Sequence, residues 1–278
     1  MPSLPPTEII ERNVAAALAE DVGSGDITAK LIPENKSVTA QLISKDEGIL
    51  CGVSWAGEVF RQLATAVSIS WEFADGDAIA RGDRLAILSG PARPIMTGER
   101  SALNFLQTLS ATATLTRQLV ESVRHTRVTL LDTRKTLPGL RFAQKYAVLV
   151  GGGSNHRMGL FDAFLIKENH IAACGGISAA IAAARQLHAD KPVEIEVQSL
   201  DELDQALTAR ADIVMLDNFQ LDDIARAVAH NQGRCKLEAS GGIEGDRLVK
   251  IAETGVDYIS IGALTKNCRA FDLSLLID

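Results

Sequence analysis

The stretch VTLLDTRKTLPGLR, residues 128–141, passes from Val128, Leu130 and Leu131 straight into Asp132, Arg134, Lys135 and Arg141. Cations at this spacing can hold an anion, because guanidinium forks match carboxylate and phosphate oxygens in pairs while lysine adds a compact charge. A solvated loop after a buried strand would look much the same on this stretch alone. Its surroundings favour the anion. From Asp132 to His170 there are six Lys or Arg against three Asp or Glu, inside a chain of formal net charge -7. Arg157 and Lys167 are among the six, and His156 stands beside Arg157 in GGGSNHRMG.

Two further groups could do chemistry. Glu196 in VEIEV and Asp217 in DIVMLD are carboxylates at the ends of apolar runs. Such a pair suits Mg²⁺, which takes one or two carboxylates together with substrate oxygens and water. An ion network with Lys167 would account for them equally well. Ser240, Gly241 and Gly242 in EASGGI, and Gly262 in ISIGALT, are small residues where backbone N–H groups can approach a phosphate. No Ser-His-Asp or Cys-His nucleophile pattern stands out, which disfavours covalent catalysis.

These residues act together only if the fold gathers them. Six strand-like runs, VTLLD, DAFLIK, VEIEV, DIVMLD, CKLEAS and YISIG, alternate with helical ones, LRFAQKYAVLV, ISAAIAAARQLH, LDELDQALTAR, LDDIARAVAH and DRLVKIAETG. That alternation predicts a parallel sheet closed, or nearly closed, into a barrel, with the residues after each strand sharing one mouth. Ahead of it, Thr7 is expected to cap a helix over residues 7–21 carrying Ile10, Val14, Ala17 and Leu18 on one side. VTAQLI, GILCG and VSISWEF read as strands, SWAGEVFRQLA as a helix, and residues 94–125 as a long helix with Met96, Leu103, Leu106 and Leu109 on its apolar face. DGDAIARGDRLAILSGP resembles the hammerhead of biotinyl and lipoyl carriers, but Lys30, Lys36 and Lys45 are not placed in an attachment hairpin.

Composition narrows the class. At 278 residues and 46% hydrophobic, the chain can bury a substantial core as one large α/β domain or two unequal ones. Its negative charge argues against nucleic acid as a partner. No signal peptide and no uncharged apolar run long enough for a bilayer is evident, so no membrane association is expected. Cys51, Cys174, Cys235 and Cys268 lack metal or disulfide spacing, which points to a reducing cytoplasm.

The blocks GERSALNFLQTLS, LLDTRKTLPGLRFAQKYAVLVGGGSNHRMGLFDAFLIKENHI, VMLDNF and ISIGALTK make the chain similar to the quinolinate phosphoribosyltransferases over essentially its whole length. The resemblance implies an N-terminal α/β sandwich over residues 1–112. It also implies an incomplete, six- or seven-stranded parallel α/β barrel over 113–278, with the last ~10 residues free to return to the first domain. It implies a homodimer with shared active sites, and conversion of quinolinate and phosphoribosyl pyrophosphate with Mg²⁺ into nicotinate mononucleotide, pyrophosphate and CO2. Quinolinate recognition would fall to Arg134, Lys135, His156, Arg157 and Lys167, joined by Arg100 from the partner chain. Lys167, Glu196, Asp217, Ser240, Gly241, Gly242, Gly262 and Ala263 would hold phosphoribosyl pyrophosphate, with Glu196 and Asp217 as the metal ligands and Lys135, Glu196 and Asp217 as the catalytic set. Gln198 departs from the family, which often has an acid there. A non-carboxylating relative, a molybdate-transport-associated homologue and a non-catalytic phosphate-binding barrel are the alternatives.

Overall fold

The computed structural model describes residues 2–277. In chain order the first part contains α1 (Thr7–Val22), β1 (Ser37–Ser44), β2 (Gly48–Ile49), α2 (Val53–Leu63), β3 (Ser68–Trp71), β4 (Ala78–Ile79), β5 (Arg84–Pro91) and α3 (Ala92–Ser122). Then come β6 (Thr129–Leu131), α4 (Arg141–Gly151), β7 (Phe164–Ile166), α5 (Glu168–Cys174), α6 (Ile177–Leu187), β8 (Val193–Val197) and α7 (Leu200–Thr208). The chain ends with β9 (Ile213–Asp217), α8 (Leu221–Asn231), β10 (Lys236–Ser240), α9 (Asp246–Glu253), β11 (Tyr258–Ser260), α10 (Ala263–Lys266) and β12 (Leu273–Ile277). No helix among the described residues is long and apolar enough to cross a membrane.

Two compact units emerge. The first holds the residues up to Arg117, Thr136–Gly152 and the residues from Ala263 on. Its sheet runs β12-β1-β5-β3, antiparallel throughout, so the final strand pairs with β1. Val67, Ile69, Trp71 and Phe73 alternate along β3 and its flanks and pack on the core, as their period of two predicts. Thr7 is the first helical residue of α1, and Pro6 occupies the capping position without a side-chain bond. Proline's fixed φ suits the edge of a helix, which explains the shift. Met96 is 40% exposed, so the apolar face of α3 is narrower than the sequence suggests.

Helix α4 reads in sequence as a barrel helix. It instead buries Ala143, Tyr146, Ala147 and Val150 in the first unit's core. The Tyr146 hydroxyl donates to Asp75 Oδ2 at 2.9 Å, while Asp75 Oδ1 accepts the N–H groups of Gly52 and Val53 at 2.8 and 3.0 Å. One buried carboxylate therefore ties the start of α2 to α4. Burial pushes its pKa up, against the lowering effect of those three donors.

The second unit holds Gln118–Lys135 and Gly153–Gly262. Its six-stranded sheet runs β6-β11-β10-β9-β8-β7 with every pair parallel. That is barrel order, interrupted between β6 and β7. The free edge of β6 is met by a single parallel bridge from Leu131 to Ser154. The short run after the glycines at 151–153 supplies one rung and no strand, so the barrel is incomplete.

Replacing Asp75 with alanine should leave three donors without their carboxylate and lower the stability of the protein by about 2–4 kcal/mol. Denaturant unfolding measures this; a loss under about 1 kcal/mol would mean that water replaces the carboxylate at no cost.

Candidate functional site

Parallel strands with both faces covered are normally apolar throughout. In β8, Val193, Ile195 and Val197 are fully buried on one face, whereas the alternate positions are Glu194 and Glu196. β10 behaves likewise, with Glu238 and Ser240 on one face. The expected residues lie at the carboxyl ends: Asp132 follows β6, Lys167 follows β7, Glu196 is next to last in β8, Asp217 and Ser240 end β9 and β10, and Gly262 lies just beyond β11.

An acidic corner forms where β7, β8 and β9 end. Lys167 Nζ pairs with Glu196 Oε2, and Asn218 Nδ2 donates to Asp217 Oδ2 at 2.8 Å. Burial pushes Asp217 above the usual carboxylate range, with the Glu196 charge as second cause, while Lys167 and Lys135 pull it down. The two carboxylates thus sense each other and the two lysines. Gln198 Nε2 is 3.5 Å from Glu168 Oε2, and its main-chain N–H donates to Glu202 at 2.7 Å. The neutral amide at this position has an acid beside it.

The glycines answer to close contacts. A Cβ on Gly241, at φ +101, would fall 2.1 Å from Asn218 Oδ1, and one on Gly262 would fall 3.0 Å from Lys135 Cδ. Gly262 therefore lets the Lys135 side chain run across the mouth. Gly242 has φ +54 and nothing within 4 Å of a built Cβ. Residues 243–245 separate Gly242 from α9, which begins at Asp246 as the run DRLVKIAETG predicts.

Cations follow β6 and the turn at 153–159. Fully buried Asp132 accepts from Asn155 Nδ2 at 2.6 Å and from the main-chain N–H of His156 at 3.0 Å, which ties the 155–156 segment to the end of β6. Asp162 accepts the N–H groups of Met158 and Gly159 at 2.6 and 3.1 Å and closes the next turn. Arg157 is half-buried. Its Nη1 reaches Ala163 O at 3.4 Å, and its Nε is buried with no hydrogen-bond partner. Burial, then the Arg134 guanidinium, makes its proton less tightly held. Two guanidinium groups are therefore close enough to repel each other.

Beneath the mouth lies a cluster the sequence reading missed. His156 Nε2 is 2.9 Å from Glu194 Oε2 and 3.6 Å from Glu238 Oε2. Burial, with the Glu194 carboxylate second, pushes Glu238 up to about 8. The signal was available: a glutamate on the inward alternation of VEIEV and of KLEAS, two residues before each mouth residue. Arg100, exposed in α3, and Ala263, the first residue of α10, belong to the first unit.

Comparison with known proteins gives the following likenesses. The family described as "Quinolinate phosphoribosyl transferase, C-terminal domain" matches residues 112–276, and its N-terminal counterpart matches residues 26–110. A probable carboxylating nicotinate-nucleotide pyrophosphorylase of Bacillus subtilis is 41% identical over 92% of this chain and 89% of its own. A decarboxylating quinolinate phosphoribosyltransferase of Nicotiana tabacum is 38% identical over 100% of this chain and 85% of its own. The solved nicotinate-nucleotide pyrophosphorylase of Francisella tularensis superposes with a TM-score of 0.96, at 49% identity and with complete coverage of both chains.

The two adjacent glycines should respond differently to a methyl group. Gly241→Ala combines a strained backbone with a collision and should cost about 2 kcal/mol or more, whereas Gly242→Ala should cost about 1 kcal/mol. Unfolding midpoints compare them, and equal losses would contradict the Asn218 contact as the cause.

Proposed function

The chain belongs to the quinolinate phosphoribosyltransferase family, and with that as premise we propose how its barrel mouth does the family's work. It is a transferase that moves phosphoribosyl from phosphoribosyl pyrophosphate to quinolinate with decarboxylation, giving nicotinate mononucleotide, pyrophosphate and CO2 for NAD biosynthesis. The observation that carries the assignment of its parts is the half-buried pair Arg134 and Arg157, with an Arg157 Nε that lacks a protein acceptor. Two repelling guanidinium groups are stabilised by a ligand with two carboxylates, and quinolinate has two on adjacent carbons. Lys135 and Lys167 add cations to that wall. His156 sits in it between Asp132 and Arg157, its ring nitrogens turned towards protein groups.

The acidic corner faces the sugar. As the bond to pyrophosphate breaks, positive charge develops on the ribose ring and negative charge on the leaving group. Glu196 and Asp217 are assigned to the ribose hydroxyls and to Mg²⁺ that arrives with the pyrophosphate. Their hard oxygens fit that ion, and the upward push on Asp217 by burial and by Glu196 is a cost that a divalent cation relieves. An ion held by Glu196 and Asp217 would supply positive charge against the leaving group. Lys167, which pairs with Glu196, is assigned to both halves. Ser240, Gly241, Gly242, Gly262 and Ala263 are assigned to the 5-phosphate, with their small side chains leaving the backbone accessible. Once the ring nitrogen is ribosylated, its positive charge stabilises the carbanion left when the 2-carboxylate departs.

The working unit is assigned as a homodimer in which Arg100 of one chain completes the other's site. Its exposed position in α3, outside the barrel unit that holds the other cations, supports this. A reducing cytoplasm suits four free cysteines. Non-carboxylating transfer and a non-catalytic phosphate-binding barrel are not favoured by the relatives' names.

Quinolinate should turn over with CO2 release, whereas nicotinate, lacking one carboxylate, should react on the order of a hundredfold more slowly because a desolvated cation stays unmatched. Comparable turnover of both acids, followed by pyrophosphate and CO2 release, would reject the dicarboxylate assignment. Arg100→Ala and Lys167→Ala homodimers should each be nearly inactive, and subunit exchange between them should restore roughly a quarter of wild-type activity, since half the dimers then carry one intact site. Activity that stays at the homodimer level after verified exchange would place Arg100 in its own chain's site or outside it.

A further inference from the structure

Among the described residues, Arg210, Asn218 and Gln232 are those other than glycine with a left-handed backbone, at φ of 60°, 56° and 48°. Two of them close helices: Arg210 comes just after α7 and Gln232 just after α8, where chains commonly pass through this region. Asn218 directly follows β9, and a strand end makes no such demand. Asparagine tolerates this conformation better than most residues. It is strained all the same, and strain persists where the surroundings over-determine it.

The surroundings of Asn218 are residues already placed at the mouth. Its main-chain N–H donates to Ser240 O at 3.0 Å, one step beyond the parallel pairing of Asp217 with Ser240. Its side-chain Nδ2 donates to Asp217 Oδ2 at 2.8 Å. At the other corner of the amide, Oδ1 lies against Gly241: a Cβ built there would fall 2.1 Å from Oδ1 and 2.7 Å from Cγ. The amide cannot be turned round without loss, because the carboxyl oxygen of Asp217 needs the N–H₂ end as its donor. One planar group therefore spans from the acid that ends β9 to the glycine that follows β10.

We propose that Asn218 is a positioning residue for phosphoribosyl pyrophosphate, its amide fixing Asp217 and Gly241 in relation to each other before the substrate arrives. Asp217 is assigned to the ribose and pyrophosphate side and Gly241 to the 5-phosphate, so one spacer sets the distance between the groups that grip two parts of one molecule. Groups held in place in advance need not be ordered by the ligand, and affinity rises accordingly. Arg134, His156 and Arg157 share none of these contacts, so the effect falls on one substrate and spares quinolinate. This role rests on the assignment of Asp217 and Gly241 to phosphoribosyl pyrophosphate; the contact between Asn218 and Gly241 does not.

Calorimetric titration of the intact protein with phosphoribosyl pyrophosphate and Mg²⁺ tests this, with the quinolinate KM as control. Asn218→Gly keeps the left-handed backbone and removes the amide; Asn218→Asp keeps the shape and puts an acceptor where the donor stands. The Kd for phosphoribosyl pyrophosphate should rise on the order of tenfold in Asn218→Gly and at least as much in Asn218→Asp, while the quinolinate KM stays within about twofold in both. Wild-type affinity in either variant overturns the proposal, and so does an equal loss for both substrates. The contact itself is read from unfolding midpoints: Gly241→Ala should lower the midpoint less in the Asn218→Gly background than in the wild type, because the amide that the methyl group would strike is gone. Equal falls overturn it. Asp217→Asn with undiminished affinity for phosphoribosyl pyrophosphate would reject the substrate assignment and this role with it, whereas a loss in Asp217→Asn beside unchanged Asn218 variants rejects the role alone.

Discussion

Two half-buried guanidinium groups near enough to repel each other constrain the backbone around them. Arg157 is destabilised as a cation by burial and by Arg134, and steadied by Glu194 and Asp162. Repulsion of that kind persists only where the backbone is fixed from several directions. Asp132 grips the segment at Asn155 and His156, Asp162 closes the turn at Met158 and Gly159, and the His156 ring fixes Arg157 itself. The cationic segment is therefore braced by acids, of which Asp132 is fully buried. A chain of net charge -7 can in this way hold a local group of cations.

The same economy of position runs through the sheet. A strand that presents Val193, Ile195 and Val197 on one face has the other free for Glu194 below and Glu196 above. A one-residue slip in pairing would turn both acids to the opposite face and bury the wrong set. The register of β8 against β9, Glu196 opposite Met215, is thus a condition for where Glu196 stands as well as for packing. Gly262 meets a related demand, since a side chain there would push against the Lys135 stem.

Much of this was legible in the sequence, because strands of a parallel barrel announce themselves as short apolar runs and their mouth residues follow at once. That rule singles out Arg134, Lys167, Glu196 and Asp217 as strand-end residues, and the structure brings Lys167, Glu196 and Asp217 together. What was not legible depends on partners distant in the chain. The pattern of α4 is amphipathic whichever core receives it, and only the Tyr146–Asp75 bond and its apolar neighbours show which. Thr7 has the composition of a cap, but Pro6 stands at the position where capping happens. Glu194 escaped notice because an acid beside a mouth acid reads as more of the same, until burial shows it to be 3% exposed.

The cations assigned to the two carboxylates of quinolinate bear on the decarboxylation step. A cation beside a carboxylate stabilises the ground state, and a carboxylate about to leave as neutral CO2 loses that stabilisation in the transition state. Each extra cation near the departing group therefore raises the barrier unless it also stabilises the carbanion. The carbanion's stabilising charge must then come from the ring nitrogen, which becomes positive only after ribosylation. On this reasoning phosphoribosyl transfer must precede loss of CO2.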